Sequence, residues 1–350
     1  MKILHTADIH LGVVNGKLPI EKQTVFRNNR NISIEILFNE AIKENYDVVL
    51  ICGDLFHLKN VPSKTIRIFF NSVENFNRPV LYIKGNHDEK FDFDIDLPSN
   101  FIILDEERPF YKLDNKVFWG PKSKEALKGN YNKENKNILL LHGELHNQSD
   151  NDYININDYI EDYFFDYIAL GHVHSFEKMQ LGNSWAVYPG SLFSNGFDES
   201  GIKGYVQVTL DKDLSIEYIP FVSAGYKICE CDITGFNSYN DLLTRARNVV
   251  DEKCSLNDMV RLVLKGYYTE DNNKYLDNLK RDFSDYFYFE IVDNSKLFID
   301  FDKLKNERLS FKAEFLKLVE ENEDDETIRN KIWQLGIEAL RGDDISIWDY

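Results

Sequence analysis

Short apolar runs and small polar clusters alternate along the first half of the chain. Met1–Leu4 leads to Asp8-Ile9-His10, and Val48–Ile51 leads to Gly53-Asp54. Val80–Ile83 leads to Gly85-Asn86-His87-Asp88, Ile138–Leu141 to His142-Gly143, and Tyr167–Leu170 to Gly171-His172-Val173-His174. The runs are short and rich in β-branched residues, and most end near a glycine, which predicts strands. Between the first three strands the period becomes helical. Asn31–Asn45 carries Ile32, Ile36 and Ala41 on one expected face, and Ser63–Phe76 follows Pro62. Helices alternating with apolar strands predict an α/β fold with a mostly buried sheet. Such sheets gather function beyond the carboxyl ends of their strands, where these polar clusters sit.

From Gly182 to Pro220 the pattern is β-rich, with Trp185–Tyr188, Gly204–Leu210 and Ser215–Ile219 separated by Gly and Asp turns. Residues 222–300 read as strand Tyr226–Ile233, helix Ser238–Glu252, strand Met259–Leu264, helix Lys274–Phe283 and strand Tyr286–Val292, a small α+β unit. In the last stretch Phe311, Phe315, Leu318 and Val319 fall at helical spacing. After the acidic Glu321–Glu326, Ile328, Ile332, Leu335 and Ala339 do much the same, which predicts a C-terminal pair of amphipathic helices. The expected division is a catalytic domain over 1–221, an α+β domain over 222–300 and a helical segment over 301–350.

Composition narrows the class. With 43% apolar and 29% charged residues in 350, the chain reads as globular, and no apolar stretch approaches the ~20 residues of a membrane span. Met1–Thr6 reads as a strand rather than a leader. Four cysteines are too few for a disulfide scaffold of this length, so free thiols and a reducing, cytoplasmic setting are expected. Richness in Asn, Ile and Lys points to a bacterial or phage genome. The formal charge of −18 argues against a protein held to nucleic acid by its own basic surface. It leaves open contact with phosphate through bound cations or with a partner's help.

All eight histidines lie between His5 and His174, so the expected chemistry is in the first half. A lone histidine is usually a packed or surface residue. His5, inside the first strand, reads that way; His146 reads as loop or as support for a neighbouring ligand. Cys52 reads as a small core residue, and Cys229 and Cys231 lack the partner pair of a zinc site. Jointly, however, Asp8, Asp54, Asn86 and several histidines follow five separate strands. Mixed carboxylate, amide and imidazole donors suit manganese, iron or zinc better than an all-oxygen calcium or magnesium site. A carboxylate shared by two ions would hold them ~3.5–4 Å apart, as in two-metal hydrolases.

Asp8-x-His10, Gly53-Asp54, Gly85-Asn86-His87-Asp88, His142 and Gly171-His172-x-His174 resemble, in order, the motifs of the calcineurin-like metallophosphoesterases. Gly53-Asp54-Leu55-Phe56-His57, and Tyr188-Pro189-Gly190-Ser191 followed by Phe197-Asp198-Glu199, are similar to the SbcD family of DNA repair nucleases. That family includes the catalytic subunit of the eukaryotic double-strand-break nuclease. The resemblance is dense over residues 1–210, weaker in the α+β unit, and returns at Gly336-Ile337-Glu338-Ala339-Leu340. It implies a metallophosphoesterase β-sandwich flanked by helices, followed by a small α+β capping domain and a C-terminal helix pair. It implies two divalent ions, manganese first and magnesium second. Asp8, His10 and His174 would hold one ion and Asn86, His142 and His172 the other, with Asp54 bridging. His87 would face the scissile phosphate and serve the leaving oxygen. Asp88 would either orient that imidazole or act as a turn residue. His57 would either position the phosphate or simply sit in its strand–helix turn.

The resemblance further implies 3′-to-5′ exonuclease action on duplex ends, endonuclease action on single strands, a homodimer, and an SbcC-type coiled-coil ATPase bound through 301–350. No membrane is involved. Asn31–Asn45 is the candidate dimer surface. Arg245, Arg247, Lys253, Arg261 and Lys265 either reach DNA phosphates or form a solvated face. Phosphoprotein phosphatases of this type carry an arginine soon after the Gly-Asp pair; Gly53-Asp54-Leu55-Phe56-His57-Leu58-Lys59 has none. A small-molecule phosphodiesterase, on nucleotides or lipids, and a non-catalytic scaffold for the ATPase remain the alternatives.

Overall fold

The structure is a computed structural model. It describes all residues except 14, 15, 17, 58–60, 89–95, 122, 200, 222, 270–274, 308, 309 and 342–350. Leu58 and Lys59 of the motif above, Lys274 at the start of a predicted helix, and the end of the 301–350 segment lie outside the described residues. The chain divides into two compact units, one of Met1–Ile228 with Cys254–Arg261 and Asp285–Tyr288, the other of Cys229–Lys253, Leu262–Ser284 and Phe289–Tyr350.

The first unit is built on two six-stranded sheets. Its strands are β1 (Lys2–Thr6), β2 (Val48–Cys52), β3 (Val80–Ile83), β4 (Phe101–Ile103), β5 (Phe110–Leu113), β6 (Lys116–Trp119), β7 (Lys136–His142), β8 (Tyr167–Gly171), β9 (Glu177–Leu181), β10 (Ser184–Tyr188), β11 (Gly204–Leu210) and β12 (Leu214–Pro220). The first sheet runs β12-β11-β1-β2-β3-β4 and the second β5-β6-β7-β8-β10-β9. β1 to β4 are mutually parallel, as are β6, β7, β8 and β10.

Alternation along the strands decides what each face meets. Leu4, Val49, Ile51, Val80 and Tyr82 pack toward helices α1 (Ile20–Lys43) and α2 (Ser63–Phe76), against Ile34, Leu37, Phe38, Phe69, Val73 and Phe76. Ile3, Val48, Leu50, Cys52, Leu81 and Ile83 point the other way, onto Phe118, Ile138, Leu140, Tyr167, Ala169 and Val187 of the second sheet. Buried on both faces, these strands read as continuous apolar runs. A short helix α3 (Asn157–Ile160) adds Tyr159 to the far face of the second sheet, beside Trp119, Leu139, Ile168 and Tyr188.

α2 has the predicted bounds, set by Pro62 before it and by Asn77 in a left-handed conformation (φ 52°) after it. α1 differs from the expectation. It starts earlier, at Ile20, and the predicted face of Ile32 and Ile36 is outward, 52% and 46% exposed, with only Ala41 of that set buried. The inward face is Ile34, Leu37, Phe38 and Ala41. Apolar residues on both sides of the helix obscured the true face. The pattern also gave no strand between Ile83 and Ile138, where β4, β5 and β6 lie. β5 and β9 are edge strands without an apolar run, so alternation marks them weakly.

The second unit holds most of the sheet β13 (Tyr226–Asp232), β14 (Met259–Lys265) and β16 (Tyr288–Asp293), ordered β13-β14-β16, with α4 (Tyr239–Asp251) and α5 (Leu276–Asp282). β15 (Tyr267–Tyr268) and β17 (Lys296–Leu297) pair in parallel. Leu242, Ala246 and Val250 of α4 are buried, as are Cys229 and Cys231 on β13. None of the four cysteines is in a disulfide.

After α6 (Phe301–Lys305) come the two predicted helices, α7 (Phe311–Asn322) and α8 (Glu326–Arg341). Asp325 Oδ1 accepts from the amides of Thr327 and Ile328 and so caps α8. Their shared core is Leu316, Trp333 and Ile337, with Phe315 and Val319 beside it. A Cβ on Gly336 would stand 2.1 Å from the Phe315 ring, so a larger residue there would have to displace that ring. Phe311, Leu318, Ile328 and Ile332 of the predicted stripes remain exposed. Among the described residues no helix is long and apolar enough to cross a membrane.

His5 ties the two sheets together. It is fully buried, its Nδ1 accepts from Tyr167 Oη at 2.8 Å, and its Nε2–H donates to the Leu170 carbonyl at 3.0 Å. Burial pushes its pKa from 6.5 down to about 3, against the opposing pull of the Leu170 carbonyl. The unfolded chain therefore takes up a proton below pH 6.5 that the folded chain refuses. This contribution to stability is complete above pH 6.5 and is lost at about 1.4 kcal/mol per pH unit as pH falls toward 3. Urea unfolding between pH 4 and 7 should show a steeper acid loss in the wild type than in His5→Gln; parallel slopes would contradict the assignment.

Candidate metal centre

The loops that follow β1, β2, β3, β7 and β8 meet at one end of the sandwich. Those after β1 and β2 run side by side: the amides of Asp8, His10 and Leu11 donate to the carbonyls of Gly53, Asp54 and Leu55 at 3.1, 2.9 and 2.8 Å. Four of the eight non-glycine residues with positive φ among those described are Asp8, His10, Asp54 and His172. Backbone strain is thus concentrated where side chains must be turned inward. Glycine permits the close approach. A Cβ on Gly53 (φ 85°) would lie 2.1 Å from His142 Nδ1, and one on Gly171 would lie 1.7 Å from the Cys52 carbonyl oxygen.

Asp54 is central. Its Oδ1 accepts the His87 amide at 2.9 Å, while Oδ2 lies 3.8 Å from His10 Nε2, 3.6 Å from His142 Nε2 and 4.0 Å from His87 Nε2. Asp8 is fully buried and accepts the His172 amide on both oxygens, at 3.2 and 3.0 Å. His174 Nε2 stands 3.8 Å from Asp8 Oδ1 and 3.3 Å from His10 Nε2. Two groups with metal-ligand spacing result, Asp8-His10-His174 and Asp8-Asp54-His142.

The donor chemistry fits cations. His142 Nδ1–H donates to the Cys52 carbonyl at 2.8 Å, which leaves Nε2 with a bare lone pair. That lone pair faces Asn86 Oδ1 at 3.2 Å, an acceptor opposite an acceptor. His174 Nδ1–H donates to Glu199 Oε1 at 2.7 Å and so turns Nε2 toward the cluster; against its own burial, Glu199 and Asp8 raise its pKa, and a cation at Nε2 would take the place of the proton held there. Burial pushes the Asp8 carboxyl up to about 8, with Asp54 and Glu199 adding to the rise and His174 opposing it. Burial also raises Asp54 and lowers His10 to about 2 and His142 to about 4. Neutral imidazoles are the ligating form, and a cation reverses the penalty on the carboxylates. Asp8, His10, Asp54, Asn86, His142 and His174 would hold it.

The residues expected around His87 divide. His57 and His87 stack with ring centroids 5.0 Å apart, each edge-on to His10 at 5.2 and 5.1 Å. The His87 side chain is 45% exposed, on the open side of the cluster. Burial lowers the pKa of His57, and nearby His87 lowers it further. Asp88 does not share this opening. Buried, it accepts from the amides of Leu55, Phe56 and Gly85 and from Tyr82 Oη, at 2.7, 3.3, 2.7 and 2.6 Å. It clamps the loops after β2 and β3 together, the turn role that its sequence position also allowed.

His172 contributes its amide to Asp8, but its Nε2 lies 3.6 Å from Asp150 Oδ1, and its ring is edge-on to His142 at 5.4 Å. Asp150, Asp152 and His172 form a third group of ligand spacing. The two aspartates have no mark in the sequence because they sit in a polar loop well beyond the end of β7. Glu199 was also missed as a site residue, although Phe197-Asp198-Glu199 was among the resembling words. Of the cations singled out after residue 222, Arg245 pairs with Asp241 at 3.1 Å, Lys265 pairs with Glu230, and Arg247 donates to the Asp282 carbonyl at 2.6 Å. Arg261 lies over the Phe197 ring at 4.0 Å. Each of these four thus has a partner within the chain.

A family model described as calcineurin-like phosphoesterase matches residues 1–176, which carry all the strand-end residues of the cluster. The chain is 25% identical over 300 residues to an uncharacterized metallophosphoesterase, YhaO, of Bacillus subtilis, across 76% of this chain and 72% of that protein. It is 28% identical over 233 residues to the DNA double-strand break repair protein Mre11 of Methanosarcina mazei, across 60% of this chain but only 36% of that one. It is 25% identical over 268 residues to SbcD, a component of the SbcCD nuclease of Staphylococcus epidermidis, across 63% and 69%. With a matched region that spans Asp8 to His174 and a sandwich that gathers them, the chain belongs to the calcineurin-like phosphoesterase family, metal-dependent phosphoester hydrolases with a two-metal centre.

Proposed function

We propose that this chain is a manganese-dependent DNA nuclease subunit that works in repair or recombination with a coiled-coil ATPase. The observation that carries the hydrolase part is the set of bare imidazole and carboxylate donors around Asp54 Oδ2. Bound divalent cations there supply Lewis-acid activation of water and neutralise phosphate charge. His87, exposed beside the cluster, donates to a non-bridging phosphate oxygen and passes a proton to the leaving oxygen. His57, stacked on it, positions the phosphate. His172 completes the second ligand set, a role supported by the family motif and by its place beside His142.

DNA as substrate is supported by two relatives described as a double-strand break repair protein and a component of a nuclease. Cleavage is then 3′-to-5′ on duplex ends and endonucleolytic on single strands. Residues 222–300 help to engage the DNA and 301–350 bind the ATPase. The exposed Phe311, Leu318, Ile328 and Ile332 support that docking, since apolar faces in water need cover. The outward Ile32 and Ile36 of α1 support a homodimer through that helix.

One observation favours a small-molecule phosphodiesterase instead. A cavity of about 630 Å³ adjoins the cluster, lined by Lys84, Asn86, Leu104, Leu141 and His142 among others, a volume that suits a nucleotide-sized ligand. Incubation with manganese and either linear duplex DNA or a chromogenic diester separates the two readings. Turnover of the diester alone would favour the second.

His87→Ala should keep its bound manganese while cleavage falls by roughly 10²–10⁴-fold. Loss of both ions in that variant would mean that a ligand had been taken for a donor. Phe311→Glu combined with Leu318→Glu should leave manganese-dependent cleavage intact and abolish co-purification with the ATPase. Retention of the partner would exclude α7 as its docking face.

A further inference from the structure

We infer that Glu199 is a positioning residue of the metal centre, holding His174 in the tautomer and orientation that present its Nε2 to one cation. This inference rests on the two-metal reading above. Two imidazoles of the cluster are oriented through Nδ1, and by different means. His142 donates to a backbone carbonyl, Cys52 O, which no substitution removes. His174 donates to a side chain, Glu199 Oε1, at 2.7 Å. One cation position therefore depends on a single carboxylate and the other does not.

The carboxylate is itself held. Glu199 Oε2 accepts from the Asn195 amide at 3.1 Å, from Asn195 Nδ2 at 3.4 Å and from Ser191 Oγ at 3.4 Å. Lys203 Nζ lies 3.9 Å from the same oxygen and donates to Ser191 Oγ at 2.9 Å and to the His174 carbonyl at 3.1 Å. Behind Asn195 stands Arg30 of α1, a buried guanidinium that donates to Asn195 Oδ1 at 3.0 Å and to the Ser194 carbonyl at 2.7 Å. It is flanked by the Phe26 and Phe193 rings, 4.6 and 5.3 Å away. A chain of contacts thus runs from the α1 helix through Asn195 to Glu199 and His174. With the carboxylate gone, the His174 ring is free to rotate and to carry its proton on Nε2, the atom the cation needs. Carboxylates behind metal-bound histidines fix the tautomer and raise ligand basicity in this way. Glu199, Ser191, Asn195 and Lys203 all lie beyond residue 176, where the family model stops. The segment after β10 is therefore part of what makes the centre bind metal.

Manganese titration of the metal-free full chain, followed by calorimetry and by the electron paramagnetic resonance of free manganese, tests this. The wild type should bind two ions. Glu199→Ala should bind one with unchanged affinity and the other roughly 10–100-fold more weakly. Glu199→Gln, whose amide oxygen can still accept Nδ1–H, should recover part of that loss. Nitrogen NMR of the metal-free chain, at a pH alkaline enough for the His174 ring to be neutral, should show His174 as the Nδ1–H tautomer in the wild type and a mixture in Glu199→Ala, with the same metal-free melting temperature in both. Wild-type affinity for both ions in Glu199→Ala would overturn the inference alone. So would equal weakening of both ions together with a lower metal-free melting temperature, which would make the residue structural. A wild-type chain that fails to bind two ions would overturn the two-metal reading, and this inference with it.

Discussion

Two carboxylates, Asp8 and Asp54, are buried at the end of a β-sandwich where water cannot solvate their charge. The rest of the centre answers that constraint. Burial above all drives the Asp8 carboxyl toward its neutral form and keeps His10 and His142 neutral, while Glu199 and Asp8 raise the pKa of His174 against its own burial. The result is a pocket of lone pairs facing one another, poor at holding protons in any stable pattern and well suited to divalent cations. Metal affinity is thus the same fact as the electrostatic discomfort of the metal-free cluster.

Holding such a cluster together requires backbone work. The donors come from loops after strands of both sheets, and Gly53 and Gly171 leave the room that this close approach needs. Asp88 ties two of these loops through four hydrogen bonds, and the loops after β1 and β2 exchange amide–carbonyl contacts. Positive φ at Asp8, His10, Asp54 and His172 is the local strain this arrangement retains. The aromatic packing of Phe38, Phe56, Phe70 and Phe101 around Phe69 makes the scaffold beneath stiff enough to bear it.

The last helices show a separate balance. Their inner face is satisfied by Leu316, Trp333 and Ile337, and Trp333 Nε1 donates to the Leu316 carbonyl at 2.9 Å. Their outer face still carries large apolar side chains. The pair packs on itself and keeps a second apolar stripe exposed. In the α+β unit, by contrast, arginines that looked available for phosphate are engaged by Asp241 and by the Asp282 carbonyl.

Local pattern determined the strands that carry the centre, the bounds of α2, the helix pair and the residue types gathered after each strand. Those features depend on near neighbours along the chain: apolar runs, proline before a helix, glycine after a strand. Tertiary structure alone decided the inward face of α1, because apolar residues lie on both of its sides. It alone decided the edge strands β5 and β9, whose identity comes from a neighbouring strand rather than from their own composition. It also turned Asp88 to backbone amides instead of the His87 ring, set His172 beside Asp150, and placed Glu199 behind His174. Which of several acids meets a given imidazole depends on contacts between segments far apart in the chain, such as the His174 ring with Asp8, and no local pattern records them.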